Sequence, residues 1–250
     1  MIKGIFFTDI DGTLLDHDTY SFHESMEGIK LLAENRIPLC PVSSKTFDEI
    51  RLLADELGLC SPFVFENGCG IAYPLGSDYR VETTGGLQGL RELVPVIEEF
   101  SGERVLPLQD LTADEISRLT GLPVERALLS KKRVASLPFI LERRNLLSDS
   151  EIAELNGNIS ALGALLTKGG RFNHLIPAEG GKGGAVKKII EFYRVEKGAL
   201  ATASAGDSYN DLPMLGETDF AYIVRKKDGS FIETTTGAKV TSGIGPAGFT

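Results

Sequence analysis

The chain has 250 residues, 42% of them hydrophobic and 24% charged, with a formal charge of −9: enough apolar material for one large domain or two small ones. The negative balance argues against a nucleic-acid surface, so an anionic ligand has to be held by a few local cations. No run is apolar for long enough to span a bilayer and no secretory leader opens the chain; with the three cysteines Cys40, Cys60 and Cys69 in no CxxC spacing, a cytoplasmic location with free thiols is expected.

Ile2–Phe7 is a short apolar run, the pattern of a strand buried on both faces. Ser21-Phe22-His23-Glu24 has the form of a capping box, with Met26, Ile29, Leu32 and Ala33 following at helical spacing. Ile37–Val42 reads as the next strand. Thr46-Phe47-Asp48-Glu49 is a second capping box, opening a helix that turns Phe47, Ile50, Leu53, Ala54 and Leu57 inward and stops at Gly58. Phe63–Phe65 is a third strand, ending at Glu66-Asn67-Gly68. Strands alternating with helices imply a parallel sheet covered on both faces.

The pattern changes near Thr83-Thr84-Gly85-Gly86. A helix runs from Leu87 to Phe100 with a kink expected at Pro95. A capping box at Thr112–Glu115, a Gly121–Pro123 turn, a strand around Phe139–Glu142, a helix from about Ser148 and a strand at Ser160–Thr167 follow. After Pro177 the first pattern resumes, with a helix over Lys182–Tyr193 and strands at Leu200–Ala205 and Phe220–Val224. The Gly-rich tail from Gly237 to Thr250 carries no clear helix. The expected fold class is α/β: a doubly wound parallel-sheet, Rossmann-like core over residues 1–82 and 177–250, with an inserted α+β cap over 83–176.

Ligands of an open parallel sheet bind beyond the carboxyl ends of its strands. Four such ends carry polar groups here: Thr8 to Thr13, Ser43-Ser44-Lys45, Glu66-Asn67-Gly68 and Gly206 to Asp211. Asp9 and Asp11, two apart on extended chain, share a face, and two close carboxylates repel unless a cation or proton intervenes. Asp207 and Asp211 add a second acidic pair. An oxygen-only set of this kind suits Mg²⁺ held with a substrate phosphate. Asp-Gly and Asn-Asp also mark turns and caps, but that reading has to be repeated independently at every strand end.

Asp9-Ile10-Asp11-Gly12-Thr13-Leu14-Leu15 resembles the DxDGT(L/V) motif of the haloacid dehalogenase superfamily. Ser43, Lys182 in Gly181-Lys182-Gly183-Gly184-Ala185, and Gly206-Asp207-Ser208-Tyr209-Asn210-Asp211 resemble its other three motifs, in the right order. The long insertion is similar to the cap of the Cof-like branch. Within that branch, Ser43-Ser44-Lys45-Thr46, Glu66-Asn67-Gly68, Leu119 to Pro123, Arg133 with Ser136-Leu137-Pro138-Phe139, and Gly170 to Leu175 resemble segments of the mannosyl-3-phosphoglycerate phosphatases. Gly181 departs from the acidic residue usual there, and Lys131 to Ala135 is a loose match.

The resemblance implies a Mg²⁺-dependent hydrolase of a small phosphorylated metabolite. Asp9 would attack phosphorus and form an aspartyl-phosphate; Asp11 would protonate the leaving oxygen and then activate water; Ser43 and Lys182 would hold the phosphoryl oxygens. The metal would take Asp9, the Asp11 carbonyl and Asp207, with Asp211 in support. Ser44, Lys45, Asn67, Arg133, Ser136 and Arg171 are the expected substrate contacts, the two arginines because a guanidinium grips a glycerate carboxylate through paired hydrogen bonds. Lys45 reads equally well as a surface lysine, and His174 as a packing residue or a cap–core hydrogen bond. Mannosyl- or glucosyl-3-phosphoglycerate is the implied substrate. Another sugar phosphate, a phosphomutase-like transfer and a non-enzymatic phosphate-binding role stay open, as does the oligomeric state.

Overall fold

The computed structural model describes residues 4–233 and 237–250, so Ile2 and Lys3 of the first expected strand lie outside the described residues. From Gly4 the strand is as buried as its composition demands. In β1 (Gly4–Thr8) alternate side chains point to opposite faces. Ile5 and Phe7 pack with Val186, Ile189 and Ile190, whereas Phe6 joins Ile29 and Phe249 on the other side. Helices α1 (Met26–Glu34) and α2 (Phe47–Leu57), β2 (Leu39–Pro41) and β3 (Phe63–Phe65) follow. An antiparallel pair absent from the sequence-based reading, β4 (Gly70–Leu75) and β5 (Asp78–Thr83), then adds to β3.

The inserted segment runs through α3 (Leu87–Arg91), α4 (Val94–Ser101), β6 (Val105–Pro107), α5 (Ala113–Thr120), α6 (Val124–Ser130), β7 (Leu137–Leu141), α7 (Asp149–Ile159), β8 (Ala164–Gly169) and β9 (Phe172–Pro177). Its sheet is antiparallel in the order β6-β7-β9-β8 and has its own apolar core around Phe139, Leu155 and Leu175. The chain returns through α8 (Lys182–Lys197), β10 (Ala201–Gly206), α9 (Leu212–Leu215), β11 (Phe220–Arg225), β12 (Lys239–Ile244) and α10 (Pro246–Phe249). The main sheet, in the order β12-β11-β10-β1-β2, is parallel throughout.

Register decides where the functional groups fall. Thr8 lies beside Ala205 on β10 and Pro41 on β2. The amide of Asp9 donates to the carbonyl of Ala205 at 2.9 Å, and that of Val42 to Thr8 at 2.8 Å. Asp9, Ser43 and Asp207 therefore leave the sheet at one level and one end.

Several local expectations change. The capping boxes at Thr46 and Thr112 form, but the one at Ser21 does not. Ser21 Oγ instead accepts from the amide of His23, two residues on, at 3.2 Å, and the chain enters α1 through a 3₁₀ turn at His23–Ser25. Pro95 does not kink a continuous helix; it occupies the first turn of a second one, α4, where a missing N–H costs nothing. The tail expected to lack a clear helix forms β12 and the short α10, whose Phe249 meets Phe6 edge to face at 5.5 Å.

Candidate active site

Asp9 emerges from β1 directly opposite the first turn of α8. Lys182, only 2% exposed, donates from Nζ to Asp9 Oδ1 and to Asp211 Oδ1, each at 2.6 Å. The second oxygen of Asp211 accepts the amides of Asp207 at 3.1 Å and Ser208 at 2.9 Å. One carboxylate thus fixes both the lysine and the loop carrying Asp207. Oxygens of Asp9, Asp207 and Asp211 lie within 4.8 Å of one another. Burial first, then the charge of Asp211, pushes the Asp9 carboxyl well above the usual range despite Lys182. The same two causes raise Asp207 to about 6. One lysine against three buried carboxylates leaves negative charge uncompensated, and the donors are all oxygen; the set fits a hard divalent cation such as Mg²⁺. Asp9 and Asp207 have oxygens to offer it. Both oxygens of Asp211 are hydrogen-bonded, to Lys182 on one side and to the Asp207 and Ser208 amides on the other, so it steadies Lys182 while standing with Asp9 and Asp207 in the acidic group.

Two glycines are dictated by this geometry. Gly12 has φ +85°, and a Cβ there would stand 3.1 Å from Asp207 Oδ2. Gly68, at φ +89°, passes so close to the α8 entry that a Cβ would stand 2.1 Å from the carbonyl oxygen of Gly181, a distance no side chain tolerates. Ser43 is buried beside Asp9, its hydroxyl accepting from the Lys45 amide at 3.3 Å. The Thr13 hydroxyl is buried without a partner among the described residues.

The inserted unit faces this end of the sheet across a cavity lined by Asp9, Asp11, Lys45, Arg133, Arg171 and Asp207, among others. Lys45 is no surface lysine: Nζ lies 2.8 Å from Asp11 Oδ2 and 5.3 Å from the centre of the Tyr20 ring. Burial opposes its charge, but Asp11 and Glu49 outweigh burial and hold its pKa above the ordinary lysine value. Ser44 also lines the cavity, and its carbonyl accepts Arg133 Nη1 at 2.8 Å. Arg171 Nη1 donates to the Thr120 carbonyl at 2.8 Å, which also receives the Tyr20 hydroxyl from the core at 3.1 Å. Asn67 is buried, its Oδ1 accepting from Asn210 at 3.3 Å while Nδ2 has no partner among the described residues. Ser136, expected at the substrate, is fully buried, and its hydroxyl donates to Glu66 Oε2 at 2.7 Å. Tyr20 escaped the sequence-based reading, and Glu66 entered it only as part of a polar strand end, without a role of its own. Their partners lie 100 and about 70 residues away, so no local pattern signals them.

His174, on β9, is 2% exposed and reaches the cavity, with Nδ1 unpartnered among the described residues and Nε2 3.4 Å from the Gly169 carbonyl. Burial first, then Arg133 and Lys182, lowers its pKa to about 3, against the pull of Gly169. The imidazole is neutral in the fold but charges freely when unfolded. Its contribution is fully present above about pH 6.5 and is lost as pH falls toward 3. Between pH 7 and pH 5 this one group is expected to remove about 2 kcal/mol of stability. His174→Asn should flatten the denaturant-midpoint profile over that interval by this amount; parallel profiles would show that the native imidazole takes up a proton as easily as the unfolded one.

Residues 6–88 and 125–236 match the haloacid dehalogenase-like hydrolase family. A glucosyl-3-phosphoglycerate/mannosyl-3-phosphoglycerate phosphatase of Methanococcoides burtonii is 35% identical over 263 aligned positions, covering 99% of this chain and 95% of that protein. A phosphatase of the same description from Persephonella marina is 37% identical over 234 positions, covering 88% and 84%. Among solved structures, a Thermoplasma acidophilum protein superposes with a TM-score of 0.69 at 17% identity over 100% of this chain and 96% of its own. The sucrose-phosphatase of Synechocystis, solved with sucrose and phosphate, gives 0.62 at 14% identity over 99% and 95%; at such identities these two bear on the fold alone. The chain belongs to the haloacid dehalogenase-like hydrolase family. Within it, the chain is a phosphoric monoester hydrolase. Among the described residues no helix is long and apolar enough to cross a membrane.

Proposed function

We propose that this enzyme removes the phosphate of mannosyl- or glucosyl-3-phosphoglycerate by way of an aspartyl-phosphate on Asp9. The observation that carries the reading is the shared cavity: the Asp9–Asp207 end of the sheet faces two guanidiniums, Arg133 and Arg171. The names of the two relatives, each matched over most of its length, support the same substrate.

Lys182 holds Asp9 Oδ1, which leaves Oδ2 to attack phosphorus as the bond to the glycerate oxygen breaks. Asp11, entering the step in its protonated form, gives that proton to the departing alkoxide. It then accepts one from the water that attacks the phosphoenzyme and frees Asp9. Ser43 and Lys182 bind the phosphoryl oxygens. Asp9, the Asp11 carbonyl and Asp207 would hold Mg²⁺, which would neutralise the charge of the phosphate. Arg133 and Arg171 recognise the glycerate carboxylate, with Ser44, Lys45 and Asn67 near the phosphoglyceryl group.

The test is phosphate release from both glycosyl phosphoglycerates, from sugar phosphates lacking a carboxylate, and from an aryl phosphate. A charge-assisted contact to the carboxylate predicts kcat/KM roughly 10- to 100-fold higher for the glycerate-bearing pair than for a carboxylate-free sugar phosphate. A chelator should abolish turnover and added Mg²⁺ restore it. Equal rates on both substrate groups would remove the glycerate reading, and turnover undiminished by chelation would remove the metal.

A further inference from the structure

We propose that Glu66 is the pivot that ties the inserted cap to the core, and that it is a positioning residue for Arg133. The second part rests on the reading of Arg133 as a glycerate contact; the first does not.

Glu66 is fully buried at the end of β3, yet among the described residues its carboxylate accepts only from cap donors. Oε1 takes the amide of Val134 at 2.9 Å. Oε2 takes the amides of Ala135 at 3.1 Å and Ser136 at 2.7 Å, and the Ser136 hydroxyl at 2.7 Å. Three consecutive amides converging on one anion form a fixed anion-binding loop, and here the anion is a side chain of the other unit. The backbone is strained to present it: Glu66 has φ +50° and Asn67 φ +57°, the left-handed region that non-glycine residues avoid. The strain is held by the amide of Glu66 on the Lys45 carbonyl and that of Asn67 on the Ser43 carbonyl, at 2.8 and 2.9 Å. The phosphate-binding strand end and the cap anchor are thereby one hydrogen-bonded unit.

The location identifies the contact as a pivot. Ala135 packs with Cys69 and Ile176, and the amide of Thr84 donates to the Cys69 carbonyl at 2.8 Å. Thr84 and Ile176 stand at the two crossings between core and cap, where rotation displaces atoms least. The contacts of Tyr20 with Thr120 and of Arg126 with Glu56 join the cap to the core through α5 and α6, away from those crossings. Such contacts can part while the Glu66 loop stays closed.

Arg133 is the residue before the clamped loop. Nε donates to the Ser130 carbonyl at 3.1 Å, and Nη1 to the Ser44 carbonyl at 2.8 Å and to Ser136 Oγ at 3.2 Å. Ser136 relays the position, accepting from Arg133 and donating to Glu66. The consequence is a cap arginine that stays registered to the phosphate site as the cap moves.

The experiment is Glu66→Gln in the full chain, read three ways. Gln keeps the shape but offers one acceptor oxygen where two serve. Hydrogen exchange of the Val134, Ala135 and Ser136 amides should quicken at least about tenfold, with Phe139 and Ile140 unchanged. KM for mannosyl-3-phosphoglycerate should rise about tenfold, the size expected for a charged hydrogen bond set out of place, while turnover of an aryl phosphate stays within about twofold. In an Arg133→Ala background the same change should add nothing to KM. Unchanged exchange at 134–136 would overturn the pivot. A KM increment that persists without Arg133, or equal loss on both substrates, would overturn the positioning role. If Arg133→Ala alone leaves KM untouched, the glycerate reading fails while exchange still decides the pivot. Should Glu66→Gln not fold, Ser136→Ala removes the relay alone and should raise KM in the same direction, by about threefold; no rise would overturn the relay.

Discussion

Asp9→Asn is expected to lower kcat by about 10⁴-fold or more, the usual result of deleting a covalent nucleophile, while leaving the protein at least as stable as the wild type. The two halves come from the same geometry. An amide of the same shape cannot attack phosphorus, and Oδ2 of Asp9 is the carboxylate oxygen left free by Lys182. The substitution also removes one of three buried carboxylates that face a single lysine. Burial and Asp211 already make ionised Asp9 costly, as its raised pKa shows, so neutralising it relieves repulsion, and Lys182 keeps Asp211. Phosphate release and a thermal melt in chelator test both halves. Residual turnover above a few per cent would remove Asp9 as the nucleophile. A lower melting temperature would show that its charge is needed to hold Lys182.

What the sequence made legible is what its local patterns encode. The order of strands and helices could be read because buried parallel strands such as β1 are continuous apolar runs and the capping boxes at Thr46 and Thr112 lie within four residues. The Asp9–Gly12 and Gly206–Asp211 segments stood out because several constrained residues fall within each. The false box at Ser21 fails because a hydroxyl can satisfy an amide two residues on instead of three. Ser136 was placed at the ligand because small polar residues near an arginine suit either role. The Glu66 carboxylate that takes its hydroxyl lies 70 residues back, out of reach of any local pattern. The β4–β5 hairpin and β12 were missed because pairing partners, and not their own weak alternation, hold them in place.

Lys182→Met should do to stability the opposite of Asp9→Asn. Both substitutions act on one contact and both should abolish activity, but Met leaves Asp9 and Asp211 facing each other without a cation. Lys182 is 2% exposed with both bonds at 2.6 Å, so water cannot replace it. Breaking a buried ion pair from one side costs about 3–5 kcal/mol, which for a chain of this size lowers the melting temperature by roughly 10 °C. The cause can be separated from lost packing because Met fills nearly the same space as the lysine stem. Adding Asp211→Asn to Lys182→Met removes the second charge and should recover part of the loss, whereas a packing defect would be deepened by a further change. Mg²⁺ should also recover part of it in Lys182→Met, since the cation would meet the same uncompensated oxygens. If Lys182→Met melts in chelator at the wild-type temperature, the carboxyls neutralise themselves by taking up a proton, and Lys182 serves only to bind phosphate.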